Sequence, residues 1–251
     1  MSDIRIFLNG CNGRMGKVIT DICSLEQGVA IVAGADANAA PSSFPVYPSA
    51  VDCQEEFDVI IDFSHVLALP SVMQLAGDKK KPLVMCTTGL SDDNKKDLTS
   101  LSEKTAVFYS ANMSLGVNVL ISLAQKAAAI LYPGFDVEIV EAHHNQKIDA
   151  PSGTALMIAD AINDTLDHQL EYVYDRHDVR QKRDPKELGL HSIRGGSIVG
   201  DHSVIFAGPE EVITISHSAQ TRNVFARGAV AAARYMSGKT TGMYSMKDLI
   251  D

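Results

Sequence analysis

The strongest constraint on the fold is a glycine-rich turn directly after the first apolar run of the chain. Residues 4–8 read IRIFL, and Gly10, Gly13 and Gly16 follow with the spacing GxxGxxG. Apolar residues with helical spacing continue over 15–23. Glycines so spaced allow a tight turn, close approach of a pyrophosphate to the backbone, and close packing of the helix on the strand. The pattern predicts a dinucleotide-binding unit, although ordinary turns also produce such spacings.

An acidic residue at the end of the next apolar run supports this interpretation. Residues 29–35 read VAIVAGA and end at Asp36, twenty residues after Gly16. A carboxylate in this place accepts hydrogen bonds from the ribose hydroxyls of an adenosine. The alternative is an Asp that is merely solvated at a strand end.

The rest of the first half alternates between short apolar runs and helical patterns. This alternation is typical of a parallel sheet with helices on both faces, and it predicts a Rossmann-like dinucleotide-binding domain. The three further apolar runs are 58–63, 82–86 and 106–109.

The pattern changes after Pro133. Several short strands separated by glycines favour a second α+β domain with a mixed or antiparallel sheet. A final alanine-rich helix over 222–236 is expected to return to the first domain and to end the regular structure. The predicted domains are 1–114 with 223–251, and 115–222. The strands predicted in the second domain are 136–142, 191–193, 196–199, 202–206 and 212–218.

Residues 141–155, EAHHNQKIDAPSGTA, carry most of the candidate chemistry. An apolar strand pattern precedes this stretch and a helical pattern follows it, so the polar residues lie on a loop that leads into a helix start. Ser152 or Thr154 is the expected helix cap. Helix N-termini bind anions, while His143 and Lys147 could supply a proton and bind a carboxylate. The alternative is that these side chains only decorate a surface loop.

Charge and composition exclude several functions. The chain has 22 Lys and Arg against 31 Asp and Glu, a net charge of −9, which argues against nucleic-acid binding and against an anionic membrane surface. No apolar run approaches the ~18 residues that a membrane span needs, and we expect no signal peptide. The four cysteines form no CxxC pair, so we expect no metal site, no disulfide framework and a cytoplasmic location.

The two motifs together resemble the dihydrodipicolinate reductase family, also called 4-hydroxy-tetrahydrodipicolinate reductase. The resemblance covers nearly the whole chain, and the motif of residues 141–155 is highly specific. It implies reduction of 4-hydroxy-tetrahydrodipicolinate to tetrahydrodipicolinate with NADH or NADPH, in the diaminopimelate route to lysine. It also implies a homotetramer held together by the sheets of the second domain, which would then serve substrate binding and oligomerisation. Further matches are Thr87-Thr88-Gly89, 111–114, 194–196 and 217–229.

The same resemblance assigns roles to individual residues. His143 matches the family's catalytic proton donor and Lys147 its second proton donor. Matches to substrate-binding positions are His144, Ser152, Gly153 and Thr154. Matches to cofactor-binding positions are Gly10, Cys11, Asn12, Gly13, Arg14, Met15, Asp36, Cys86, Thr87, Thr88, Ala111, Asn112, Met113 and Ser114.

One departure from the family pattern bears on the cofactor. Many relatives carry an arginine after the acidic residue of the second strand, where it can meet a 2′-phosphate. Here Asp36 is followed by Ala37 and Asn38, so we expect NADH to be preferred over NADPH. Two alternatives stay open: another two-domain dehydrogenase, such as an aspartate or homoserine dehydrogenase, and a nucleotide-binding sensor without turnover.

Overall fold

The computed structural model of the protein describes residues 3–38 and 40–250. The strands are β1 (Ile4–Asn9), β2 (Val29–Ala35), β3 (Val46–Tyr47), β4 (Val59–Asp62), β5 (Leu83–Met85), β6 (Val107–Tyr109), β7 (Asp136–His143), β8 (Glu171–Val173), β9 (Glu187–Arg194), β10 (Asp201–Ala207), β11 (Val212–Ser218) and β12 (Met243–Tyr244). The helices are α1 (Arg14–Leu25), α2 (Leu69–Lys79), α3 (Asp92–Ser102), α4 (Leu115–Leu131), α5 (Gly153–Thr165), α6 (Asn223–Met236) and α7 (Met246–Ile250).

The chain forms two compact units. The first contains the chain up to Leu115 and again from Asn223, and the second contains Gly116–Arg222. Helix α6 therefore belongs to the first unit, where its residues Ala229 and Ala233 are buried in a cluster with α1 and the sheet.

The first unit is built on a seven-stranded parallel sheet with the order β12-β6-β5-β4-β1-β2-β3. Strand β4 is buried along its whole length, because apolar clusters cover both faces of the sheet. This arrangement confirms the Rossmann-like prediction.

The sheet also extends beyond the elements that the sequence predicts. Strands β3 and β12 have two residues each, too few to show any periodicity. The expectation that regular structure ends with α6 is therefore wrong, since β12 pairs with β6 and α7 follows it.

The second unit is a mixed five-stranded sheet with the order β11-β10-β7-β9-β8. Strand β10 is antiparallel to β7 and β11, while β9 is parallel to β7 and β8. The apolar face packs on α4 and α5, with Ile139, Leu190, Val204 and Phe206 in its core. The prediction of a second α+β domain with a mixed or antiparallel sheet is confirmed, and the sheet is mixed.

The prediction of a strand at 196–199 is wrong, because these residues form a turn and an irregular segment. Gly196 has a left-handed backbone with φ of +49°, and such a residue interrupts an extended run. The backbone groups of this turn pair with the loop after β7 instead, because Gly195 N–H donates to His143 O and Asn145 N–H donates to Gly196 O.

An ion-pair cluster fixes the polar segment that precedes β9. Nε of Arg183 donates to Glu138 at 2.9 Å and its Nη1 donates to Asp136 at 2.7 Å. On the same strand face, Nε2 of His191 lies 2.8 Å from the Glu138 carboxylate.

None of the helices in residues 3–38 and 40–250 is both long and apolar enough to cross a membrane.

Candidate active site

A cleft of about 640 Å³ lies at the carboxyl edge of the first sheet. It opens between β1 and β4, where the strand order reverses and where open parallel sheets place their ligands. Gly10, Gly13 and Asp36, three residues that the sequence predicts to bind the cofactor, line this cleft. Ser64 and His65, which directly follow β4, also line it.

The three glycines of the turn are required for different structural reasons. A Cβ atom at Gly10, where φ is +80°, would lie 2.4 Å from the carbonyl oxygen of Phe63, and one at Gly16 would lie 2.2 Å from that of Gly10. These two positions exclude any side chain. A Cβ at Gly13 would meet only Gly10 O, at 3.2 Å, so its outer face is open to the cleft. Open backbone at this point fits the pyrophosphate of a dinucleotide.

Asp36 organises the rim of the cleft. Its Oδ2 accepts from the backbone N–H of Asn12 at 3.0 Å, and its Oδ1 accepts from that of Asn38 at 2.9 Å. Each oxygen keeps a lone pair for a ribose hydroxyl. Ala37 is the next lining residue, and among the described lining residues none is a lysine or an arginine.

Several predicted cofactor residues can reach a ligand only through their backbone. The side chains of Cys11, Cys86 and Met113 are buried in the core of the first unit, and Asn112 and Ser114 are buried as well. The side chain of Asn12 donates to the carbonyl of Asn38 at 2.6 Å. Met15 is half-buried, whereas Gly13, Arg14, Thr88 and Ala111 are exposed.

The buried carboxyl of Asp62, for which the sequence predicts no role, connects the ends of three strands through hydrogen bonds. Asp62, the last residue of β4, accepts from Ser64 Oγ at 2.5 Å, Thr87 Oγ1 at 2.6 Å and Asn9 Nδ2 at 2.7 Å. Burial raises the pKa of Asp62 above its ordinary value, although these hydrogen bonds act against that change. The feature of the sequence that could have indicated this role is an acidic residue at the end of an otherwise apolar strand. Thr87 is predicted to bind the cofactor, but its hydroxyl group donates its hydrogen bond to this carboxyl.

In the second unit, His143 ends β7 beside a buried carboxylate. Its Nδ1 lies 2.6 Å from Oε2 of Glu141, two residues earlier on the same face of the strand. Glu141 is also paired with Arg194 through bonds of 2.7 and 2.9 Å. Glu141 and Arg194 belong to the motifs that carry the family resemblance, but the sequence alone assigns them no role.

Lys147 lies on the loop between β7 and α5. Its Nζ is 2.8 Å from Oδ1 of Asp149, and this contact lowers the pKa of the Asp149 carboxyl. The backbone carbonyl of Asp149 in turn accepts from Nη2 of Arg194 at 2.7 Å. Arg194 therefore links the carboxylate beside His143 to the residue that holds Lys147.

The start of α5 contains the other predicted substrate residues. Ser152 caps the helix, as predicted, because its Oγ accepts from Ala155 N–H at 3.2 Å. The same Oγ contacts Nε2 of His202 at 3.2 Å. Both known partners of this buried hydroxyl group are therefore groups of the protein itself. Gly153 is exposed, and a Cβ atom there would meet nothing within 4 Å. The helix start thus presents Gly153 beside open space.

His202 was not predicted, and a lone histidine in a short strand gave no signal. Its ring lies at 5.2 Å from the His143 ring, edge to face. Burial, helped by the neighbouring His143, lowers the pKa of His202 to about 4. His202 is therefore neutral at pH 7.

His144 completes the predicted set. Its Nε2 lies 3.3 Å from Nη2 of Arg222, so the region has cationic groups from Lys147, Arg194 and Arg222. Within the described part of the chain, no group of three or more His, Cys, Asp or Glu residues could hold a metal ion.

Two family models account for almost the whole sequence. One described as dihydrodipicolinate reductase, N-terminus, matches residues 4–113, and one described as dihydrodipicolinate reductase, C-terminus, matches residues 116–250. The chain belongs to the dihydrodipicolinate reductase family. The family predicted from the two sequence motifs is therefore confirmed.

Relatives of this family match over nearly their full length. The chain is 53% identical to a 4-hydroxy-tetrahydrodipicolinate reductase of Caldanaerobacter subterraneus subsp. tengcongensis, covering 98% of each protein. It is 47% identical to the enzyme of the same name from Clostridium botulinum, again covering 98% of each.

The fold is shared with a solved dihydrodipicolinate reductase. The structure from Paenisporosarcina sp. TG-14, described as bound to dipicolinate, matches with a TM-score of 0.83 at 23% identity. The match covers 99% of this chain and 100% of that one. The predicted oxidoreductase class is confirmed by membership of the dihydrodipicolinate reductase family, which uses a pyridine nucleotide.

Proposed function

We propose that the protein reduces 4-hydroxy-tetrahydrodipicolinate to tetrahydrodipicolinate in lysine biosynthesis, with His143 and Lys147 as its proton-transferring residues. The family assignment supports the reaction. The observation that carries the residue assignment is the grouping of His143, Lys147 and the open start of α5 in one region of the second unit. A basic cluster at a helix N-terminus suits a dicarboxylate.

In this proposal the helix start binds one substrate carboxylate. The backbone N–H groups of Gly153 and Thr154 are at the positive end of the α5 dipole, where anions are stabilised. The space around Gly153 leaves room for such a group. Ser152 contributes as the cap that holds this turn in place.

Lys147 and His144 serve the other end of the substrate. The ammonium group of Lys147 exchanges Asp149 for a substrate carboxylate, or stabilises negative charge that develops during reduction. His144 is held by Arg222 and adds a hydrogen-bonding ring to the same region. The net reaction takes up one hydride and one proton and releases the 4-hydroxyl group as water. The proton comes from His143, because histidine is the most common general acid in enzymes.

The cleft of the first unit holds the pyridine nucleotide. Residues around Gly13 receive the pyrophosphate, and Asp36 receives the adenosine ribose. The nicotinamide, when bound, supplies the hydride. NADH is the preferred cofactor because Asp36 repels a 2′-phosphate and Ala37 offers no compensating charge. Such a like-charge contact at a partly solvated site is worth roughly 1–2 kcal/mol, or a factor of about 5 to 30.

The division of labour follows the two units. The first, 1–114 with 223–251, binds the dinucleotide, and the second, 115–222, binds the substrate and assembles a homotetramer.

The outer face of the second sheet supports the assembly. It exposes the side chains of Val212 (62%) and Ile193 (52%), which a partner subunit would cover. All four cysteines are free and buried, which suits the reducing cytoplasm.

A coupled assay tests the proposed reaction. The substrate is generated by the preceding synthase, and oxidation of NADH and NADPH is followed in parallel by absorbance. We expect substrate-dependent oxidation of both, with the larger kcat/KM for NADH. Nucleotide binding without substrate-dependent oxidation would instead indicate a sensor and overturn the proposal.

A further inference from the structure

The Glu141 carboxylate is the most heavily bonded acceptor near the proposed proton donor. Its Oε2 is 2.6 Å from Nδ1 of His143 and accepts from Nη1 of Arg194 at 2.9 Å. Its Oε1 accepts from Nη2 of Arg194 at 2.7 Å and from the backbone N–H of Ser152 at 3.1 Å. A carboxylate offers about four lone-pair sites, so these four contacts saturate it.

The charge of Glu141 is retained in spite of its burial. The side chain is 1% exposed, and burying a charge is costly unless it is paired. Burial raises the carboxyl pKa, but the hydrogen bonds from Arg194 and His143 outweigh this and lower it to about 2. Glu141 is therefore an anion at neutral pH.

An ionised carboxylate can only accept hydrogen bonds, and this fixes the tautomer of its neighbour. Nδ1 of His143 must carry the proton in the 2.6 Å contact. The other nitrogen, Nε2, lies beside the backbone of Gly200, where an added Cβ would be 3.0 Å away. Nε2 is then the nitrogen that is unprotonated in the neutral ring and that gains or loses a proton when the ring titrates.

We propose that Glu141 is a positioning residue, which holds His143 in the Nδ1–H tautomer and so makes Nε2 the nitrogen that exchanges a proton with the substrate. This inference rests on the proposed role of His143. Neutral imidazole without such a partner would divide between two tautomers and rotate about its side-chain bonds. The carboxylate removes both freedoms.

The same carboxylate also sets the position of the proposed anion site. The Ser152 N–H that it binds belongs to the cap residue of α5. Glu141 thereby fixes the imidazole and the helix start relative to one another, although they are separated by the loop that carries Lys147. Arg194 neutralises the buried charge and extends the connection to the carbonyl of Asp149.

Nitrogen NMR of the histidine rings tests the tautomer directly. The His143 signals are assigned by their loss in His143→Ala, and spectra are recorded over a pH series that includes the neutral form of the ring. We expect Nδ1 of His143 to be protonated in the parent and Glu141→Gln to convert the ring to a mixture of tautomers. An Nε2–H ring in the parent would overturn the proposal, and this measurement does not depend on enzyme turnover.

Kinetics provide the second test. In Glu141→Gln we expect kcat to fall about 10²-fold, with an unchanged KM for NADH because the cofactor cleft is in the other unit. The matched control is Glu138→Gln, a change on the same strand that also breaks contacts with an arginine and a histidine, Arg183 and His191. This control should keep its kcat within twofold.

The outcomes separate this inference from the proposed function. An active parent whose folded Glu141→Gln variant retains both kcat and the Nδ1–H tautomer would overturn only the positioning role. A parent without reductase activity would overturn the proposed function, while the tautomer could still be read. If Glu141→Gln does not fold, the tautomer of the parent decides, because the Nε2–H form is incompatible with the proposal.

Discussion

Oγ of Ser152 lies 3.2 Å from Nε2 of His202, and both side chains are buried beneath the start of α5. The two residues are fifty positions apart in the chain. His202 faces His143 and Glu141 on β7 and His217 on β11. A neutral ring in this place supports the cap of the proposed anion site and makes the fold sensitive to acid.

His202 should make the protein less stable as the pH falls. Its pKa is lowered to about 4 in the folded protein from an ordinary 6.5. The unfolded chain therefore binds a proton below pH 6.5 that the folded protein refuses until about pH 4. Stability falls across this window at about 1.4 kcal/mol per pH unit, which gives roughly 2 kcal/mol between pH 6.5 and 5.

Denaturant unfolding at pH 7 and pH 5 measures this loss. The variant His202→Gln should lose about 2 kcal/mol less than the parent, whereas His177→Gln, which alters an exposed histidine, should behave as the parent does. Equal losses in the parent and in His202→Gln would show that this ring is not the source.

Gly153→Ala should weaken substrate binding without weakening the fold. The added methyl group meets no protein atom within 4 Å, and alanine is a better helix former than glycine by up to about 1 kcal/mol. The methyl group would occupy space proposed for a substrate carboxylate. We expect an unchanged or higher Tm and a KM for the substrate raised about tenfold, with no change in KM for NADH.

Gly134→Ala is the control for Gly153→Ala, since its methyl group has only an ordinary contact of 3.4 Å with Leu131 O. A parental KM for the substrate in Gly153→Ala would remove this glycine from the binding site.

The turn glycines Gly13 and Gly16 should respond differently to alanine. At Gly13 the methyl group has one contact of 3.2 Å, whereas at Gly16 it would lie 2.2 and 2.5 Å from two backbone oxygens. Gly13→Ala should fold normally and bind NADH about tenfold more weakly. Gly16→Ala should lose about 3 kcal/mol of stability through overpacking. Fluorescence titration with NADH and thermal unfolding distinguish the two, and parental NADH affinity in Gly13→Ala would contradict the proposed pyrophosphate site.

Ala37→Arg should narrow or reverse the preference for NADH. The guanidinium group would offset the repulsion between Asp36 and a 2′-phosphate, so kcat/KM for NADPH should rise about 5- to 30-fold, mainly through KM. Ala37→Gln supplies similar length without charge and should leave the ratio unchanged. A tenfold preference for NADPH in the unmodified enzyme would mean that Asp36 does not meet the ribose or that another basic side chain reaches the phosphate.

His143→Ala and Lys147→Ala should each lower kcat about 10²-fold or more, the usual scale of a lost general acid or charge stabiliser. Neither change should alter NADH affinity, because both residues lie in the second unit. His177→Ala and Lys126→Ala remove exposed residues of the same types and serve as controls. Near-parental turnover in both active-site variants would exclude the proposed mechanism.

Local patterns in the sequence determined most of the longer elements of this protein and the identity of its motifs. The run over 29–35 is β2 as predicted, and the glycine turn leads into α1. Ser152, one of the two predicted cap residues, caps α5. Such features depend on residues a few positions apart, where periodicity and capping preferences act. The same local motifs sufficed to identify the family.

Only the tertiary structure decided which side chains contact one another across long separations in the sequence. Glu141 meets Arg194 across 53 positions, and Asp62 meets Asn9 across the same separation. It also showed that Gly13 and Gly153 face open space whereas Gly16 is enclosed by backbone, a difference that the letters of the sequence do not express. Pairing of distant strands sets these contacts, because a side chain two positions along a strand shares its face, while its partners come from whichever strand lies beside it.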